Sequence, residues 1–152
     1  MGMVDVSGKP EVFREATATG TIRLKTETVR LIREGKIAKG DPLCTARIAG
    51  VLAAKKTSDL IPLCHNLALS KVDVEAAVTD HDGVKVTSTV RTTAQTGVEM
   101  EALVAAATAL LTVWDMVKQY EKDANGQYPT TAIEGLHVVK KIKRVGSKEA
   151  HR

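Results

Sequence analysis

The sequence predicts an α+β sandwich, an antiparallel sheet with helices packed on one face. Three observations lead there. "KVDVEAAV" and "VKVTSTVR" alternate apolar and polar residues on either side of the turn "TDHDG", the pattern of a β-hairpin with one dry face. "TGVEMEALVAAATALLTVWDMVKQYEK" carries Met100, Leu103, Ala107, Leu110, Trp114 and Val117 at helical spacing, which predicts a long helix. "LHVVKKIKRV" then supplies a closing strand.

The remaining elements follow in chain order. A strand rich in threonine is expected over Val12–Leu24, "VFREATATGTIRL". A short helix comes next, with Thr26 as its cap, "ETVRLIRE" as its body and Gly35 at its end. "GKIAKG" reads as a loop. In "GDPLCTARIAGVLAAKK", Asp41 is a good N-cap, Pro42 suits the first helical position, and Lys55 and Lys56 suit the negative end of the dipole. Its alanines and Gly50 let this helix approach a neighbour closely. Thr96 and Glu99 have the T-x-x-E spacing of a capping box and predict the start of the long helix. A polar segment, "DANGQYPTT", separates that helix from the last strand.

Composition narrows the class. At 152 residues the chain fits one domain, with 1–10 and 146–152 expected to be flexible. It is 43% hydrophobic and 26% charged, an ordinary globular balance. No apolar run approaches the roughly 20 residues a membrane helix needs, and "MGMVDVSGKPEV" lacks the core of a signal peptide. Two separated cysteines make no disulfide framework, so a cytoplasmic location without membrane partners is expected. The net charge of +4 sits in the tail: Leu136–Arg152 holds six Lys/Arg and one Glu, while the rest is net −1. With aromatics confined to Phe13, Trp114, Tyr120 and Tyr128, this distribution does not favour nucleic acid.

Several residues could carry chemistry. Cys64 and His65 adjoin each other in the apolar run "SDLIPLCHNLALS". No close pair of Cys or His ligands accompanies them, so a metal site is not expected. In an extended segment their side chains point to opposite faces, which argues against a Cys–His dyad. Cys64 reads as an inert core thiol or a site residue, and His65 as a buried structural residue or a ligand-facing donor. Glu101 does not share the capping role of Glu99; it is either a dipole-favoured first-turn residue or a functional one. Asp115 and Lys118 face each other across one helical turn, as a surface ion pair or an acid/base pair. Glu101, Val104, Thr108, Leu111, Asp115 and Lys118 form a stripe along the border of the core face. At about 1.5 Å per residue, Glu101 and Asp115 lie roughly 21 Å apart on this helix, too far to serve one small ligand within one chain. Two subunits must contribute if both act at one site. Lys39, just before a helix N-terminus, could hold phosphate or simply be solvated.

Taken together and in order, "MVDVSGK", "REATATG", "KGDPLCTARIAGVLAAKKTSDLIPLCHNL", "TGVEMEAL" and "TVWDMVK" closely resemble the MoaC family, from about Met3 to Val145. The resemblance implies a ferredoxin-like fold assembled as a homohexamer, a trimer of dimers with sites between subunits. It implies a lyase of molybdenum-cofactor biosynthesis, which rearranges a cyclised dihydro-GTP into cyclic pyranopterin monophosphate and releases diphosphate. No metal or organic cofactor belongs to that machinery. By matching motif, Asp115 is the catalytic acid/base, Lys118 its partner and Lys39 a second critical lysine. Leu63, Cys64 and His65, with Met100 and Glu101, match substrate-binding positions. The chain departs from the family at Asn66, where proline is common, and in its tail, which replaces a Gly- and Lys-rich ending. The rival readings are a non-catalytic purine- or pterin-phosphate-binding domain on the same fold and an RNA-binding domain.

Overall fold

The computed structural model describes residues 1–145, so the expectation for 146–152 lies outside the described residues. The elements run β1 (Val12–Arg23), α1 (Thr26–Arg33), α2 (Pro42–Lys55), α3 (Thr57–Leu60), β2 (Lys71–Val78), β3 (Gly83–Ala94), α4 (Glu99–Glu121) and β4 (Ala132–Arg144). The strands form one antiparallel sheet in the order β2-β3-β1-β4, with the helices on one side. This is the α+β, ferredoxin-like sandwich that the sequence predicts. The first ten residues form no helix or strand.

β1 is central because it can pair on both edges and bury one face. Ala16, Ala18 and Ile22 are fully buried towards the helices, while Thr17 and Thr19 alternate to the other face, where Thr17 meets the hydroxyl of Thr89 at 3.1 Å. The hairpin register pairs Val78 with Val84 and Lys71 with Arg91. β4 starts earlier than its apolar run: Ala132–Gly135 belong to it, and the register shifts twice against β1. Gly135, at φ 64°, supplies the left-handed residue beside the second shift. That irregularity hides the start of the strand from a period-two reading.

Asp41 caps α2 as expected, accepting from the N–H groups of Leu43 (2.9 Å) and Cys44 (3.2 Å). Gly50 permits close approach: a Cβ there would sit 3.0 Å from Val74 and 3.1 Å from the Ala105 carbonyl oxygen. The packed face of α4 differs from the predicted series. Only Leu110 and Val117 of that series are buried, and Met100 is exposed. The contact is made by Ala102, Ala105, Ala106 and Ala109, joined by Leu110, Val113, Met116 and Val117. Small side chains let the α4 backbone lie against α2 and the sheet, so the larger residues are turned to the flanks. By length and composition alone this 23-residue helix could cross a membrane, contrary to the expectation from apolar runs, but half of its apolar window is buried inside the chain.

Two expected caps are replaced. Thr26 is the first residue of α1 and makes no capping bond. The carboxyl of Glu121, fully buried at the far end of α4, accepts from Lys25 N–H (3.2 and 3.1 Å), from the Thr28 hydroxyl and from the Thr131 hydroxyl (2.7 Å). The capping box is also absent: α4 begins after Val98 without a side-chain cap, and Glu99 pairs with Lys141 at 2.8 Å. Cross-sheet charge outcompetes the local bond.

Candidate functional site

The sequence-derived residues fall into two groups at opposite ends of α4. At its C-terminal end, Asp115 lies between two lysines. Lys118, one turn further on, donates to Oδ1 at 2.9 Å; Lys39, from the α1–α2 connection, donates to Oδ2 at 3.0 Å and to the Asp115 carbonyl oxygen at 3.1 Å. The hydrogen bond from Lys118, then that from Lys39, holds the Asp115 carboxyl below the ordinary aspartate range. The same contact raises Lys118. All three side chains remain substantially exposed in a single chain, so the pair alone adds little to stability. Its value is a charged donor–acceptor cluster open to a ligand. The predicted stripe therefore leaves the core as it runs: Glu101 is buried, whereas Leu111 and Asp115 face solvent.

At the N-terminal end, Leu63, Cys64, His65, Met100 and Glu101 line one cavity of about 520 Å³, together with Val4 and Lys9. Residues 61–64 form a turn closed by Cys64 N–H to the Ile61 carbonyl at 3.1 Å, not an extended segment. The neighbours still part: Cys64 Sγ lies 3.9 Å from Glu101 Oε2, and His65 Nε2 lies 2.6 Å from the Val4 carbonyl oxygen. Cys64 is half-buried on the cavity wall and lies outside the core cluster. Burial, then the Glu101 carboxyl, pushes its thiol up, away from thiolate chemistry. Glu101 is only 3% exposed, and its Oε1 has no hydrogen-bond partner among the described residues. Burial raises its pKa, which favours a neutral carboxyl able to donate. Among the described residues, no three His, Cys, Asp or Glu side chains gather as metal ligands would.

Adjoining this cavity is a basic one of about 360 Å³ that residue-level reading missed. Lys9 and Arg14 from the chain start meet Lys141 and Lys143 from β4 there, over Gly97 and Glu99. Arg14 Nε is buried and has no hydrogen-bond partner among the described residues. The described part of the basic segment thus has a place in the fold: antiparallel pairing of β1 with β4, Arg14 opposite Lys143, brings Lys141 and Lys143 to the N-terminal end of α4. The only sequence signals were the lysines of "VVKKIKR", which composition assigned to a solvated tail.

The MoaC family profile matches residues 3–144. The chain belongs to the MoaC family. It is 55% identical over 144 residues to a probable cyclic pyranopterin monophosphate synthase of Sulfolobus acidocaldarius, covering 95% of this chain and 100% of that protein. Similar proteins of the same description occur in Thermococcus onnurineus (55% identity, 95% and 92% coverage) and Pyrococcus abyssi (56%, 93% and 88%). Within this MoaC chain, Lys39, Asp115 and Lys118 meet directly. Leu63, Cys64, His65, Met100 and Glu101 share one cavity, and the two groups do not meet.

Proposed function

We propose that this protein is a cyclic pyranopterin monophosphate synthase of molybdenum-cofactor biosynthesis, acting in the cytoplasm as a homohexamer with sites shared between subunits. Its substrate is a cyclised dihydro-GTP and its products are cyclic pyranopterin monophosphate and diphosphate. The observation that carries the reading is the convergence of Lys39 and Lys118 on Asp115, at 3.0 and 2.9 Å, in a chain of this family. Rearranging the purine moves protons repeatedly, and the Asp115 carboxylate with the two lysines on it places an acceptor and donors side by side. Closing the cyclic phosphate requires a ribose hydroxyl to attack the α-phosphorus while the bond to diphosphate breaks. The hydroxyl proton needs a base, and the departing oxygens need cations.

The geometry suggests a division of labour. The Cys64–His65–Met100–Glu101 cavity takes the heterocycle, and Lys9, Arg14, Lys141 and Lys143 neutralise phosphate. Because about 21 Å of helix separates Glu101 from Asp115, the catalytic group facing that cavity comes from another subunit. Exposed apolar side chains on the helical layer, Ile48, Leu52 and Leu111, are consistent with such an assembly.

The test follows pterin product and diphosphate from enzymatically generated cyclic dihydro-GTP, with wild type, Asp115→Asn and Lys118→Ala. Wild type is expected to turn over, and both variants to lose at least about a hundredfold while keeping their assembly. No product from a folded wild-type hexamer would leave the non-catalytic binding domain as the function. Full turnover by Asp115→Asn would remove that residue from the chemistry.

A further inference from the structure

We infer that Tyr120 is a positioning residue for Lys39: its hydroxyl holds the N–H of Ala38, the residue before that lysine, and so keeps the ammonium on Asp115. The inference rests on the proposed role of the Lys39–Asp115–Lys118 group, which Tyr120 itself does not join. Lys39 sits in the connection between α1 and α2, where Gly35 (φ 67°) and Gly40 (φ 116°) bend the chain. Ala38, Lys39 and Gly40 are all exposed, and a lysine on such a stretch has many rotamers available. Two contacts to α4 restrict it. Ala38 N–H donates to the Tyr120 hydroxyl at 2.8 Å, and Lys39 Nζ donates to both a carboxylate oxygen and the carbonyl of Asp115. Tyr120 is half-buried, its ring packed against the core cluster, so its hydroxyl is a fixed post and not a mobile surface group.

Both contacts come from the last two turns of the same helix. Ala38 and Lys39 are therefore referenced to one rigid element, and the ammonium is placed before substrate arrives. The charged groups around Asp115 are Lys118 on its own helix and Lys39 from the connection. Tyr128, with Lys122 over its ring at 5.9 Å, stands beyond Lys118. Releasing Lys39 leaves Lys118 in place, so the expected change at Asp115 is partial.

The experiment titrates the Asp115 carboxyl by carbon NMR in selectively labelled, assembled protein, for wild type, Tyr120→Phe, Lys39→Met and the double variant. Tyr120→Phe keeps the ring, and the exposed Ala38 N–H can turn to water, so the fold should persist. Asp115 is expected to titrate higher in Tyr120→Phe than in wild type, less so than in Lys39→Met, with the double variant matching Lys39→Met. Turnover by Tyr120→Phe should fall about threefold to tenfold, the net worth of one hydrogen bond. An unchanged Asp115 titration in Tyr120→Phe, or the same upward shift with Lys39 already removed, would overturn the inference. If Asp115 shifts as stated but wild type makes no product, the positioning role stands and the proposed function falls.

Discussion

Removing the buried Glu121 carboxyl should cost the protein a large part of its stability. In Glu121→Ala, three donors outside α4 lose their acceptor: Lys25 N–H, the Thr28 hydroxyl and the Thr131 hydroxyl. Thr28 is fully buried and Thr131 is 7% exposed, so neither hydroxyl can turn freely to water. An unmet buried donor costs about 1–3 kcal/mol, although Thr28 can partly recover by bonding back along its own helix. Lys25 N–H, only half-buried, loses less. With the void left by the side chain, the expected loss is about 3–5 kcal/mol, against a total of about 5–15 kcal/mol for an ordinary domain. Glu121→Gln keeps the shape and one acceptor, and both hydroxyls can rotate to receive its amide, so its loss should be about 1–2 kcal/mol. Urea unfolding followed by the single Trp114, at fixed protomer concentration, measures both. Glu121→Ala within about 1 kcal/mol of wild type, at an unchanged m-value, would refute the role of this carboxyl as the cap of α1.

Glu101→Gln should alter how stability depends on pH. The folded chain holds the Glu101 proton more tightly than the unfolded chain. The two proteins should therefore differ least in acid, and wild type should lose stability relative to the variant as pH rises above the ordinary glutamate value. Parallel urea midpoints across that range would contradict a raised Glu101. Gly83→Ala would place a Cβ 2.1 Å from the backbone oxygen of Ile22, where neither strand can yield, and should destabilise by about 1–3 kcal/mol in the same urea assay. Lys143→Ala should raise KM for the triphosphate about tenfold with a smaller change in kcat, since it removes one phosphate cation and no proton-transfer group. Steady-state kinetics in which kcat alone fell would place Lys143 elsewhere.

What was legible in the sequence is what local pattern controls. The hairpin shows because each side chain has only two faces to choose from, and α2 shows because Asp41 and Pro42 act within their own first turn. Where a distant partner decides, the reading failed. α1 is capped by a carboxyl 96 positions away, and Glu99 abandons its capping box for a lysine on β4. The packed face of α4 was missed because alanine carries a weak apolar signal, although its small size is what allows the helix to approach α2. For the site, residue types alone left Cys64, His65, Glu101 and Lys39 with two readings each. Only the family resemblance chose between those readings. Only the fold shows that Lys39 crosses 76 positions to reach Asp115 and that the chain start helps wall the Cys64 cavity.

The two carboxyls of α4 stand in opposite electrostatic environments. Glu101 and Asp115 lie on the same predicted stripe, yet their surroundings push them apart. Glu101 is buried where the helix enters the core, with one oxygen unpartnered and a raised pKa. Asp115 lies where the helix leaves the core, is held by two ammonium groups and has a lowered pKa. The first holds its proton more tightly than an ordinary glutamate and the second less tightly than an ordinary aspartate, the kind of separation that acid/base catalysis exploits. If subunits pair the N-terminal end of one α4 with the C-terminal end of another, each shared site receives one carboxyl with a raised pKa and one with a lowered pKa. A single chain cannot supply that combination. Under the proposed function, a site shared between subunits is what would bring these two ends together, because about 21 Å of helix keeps them apart within one chain.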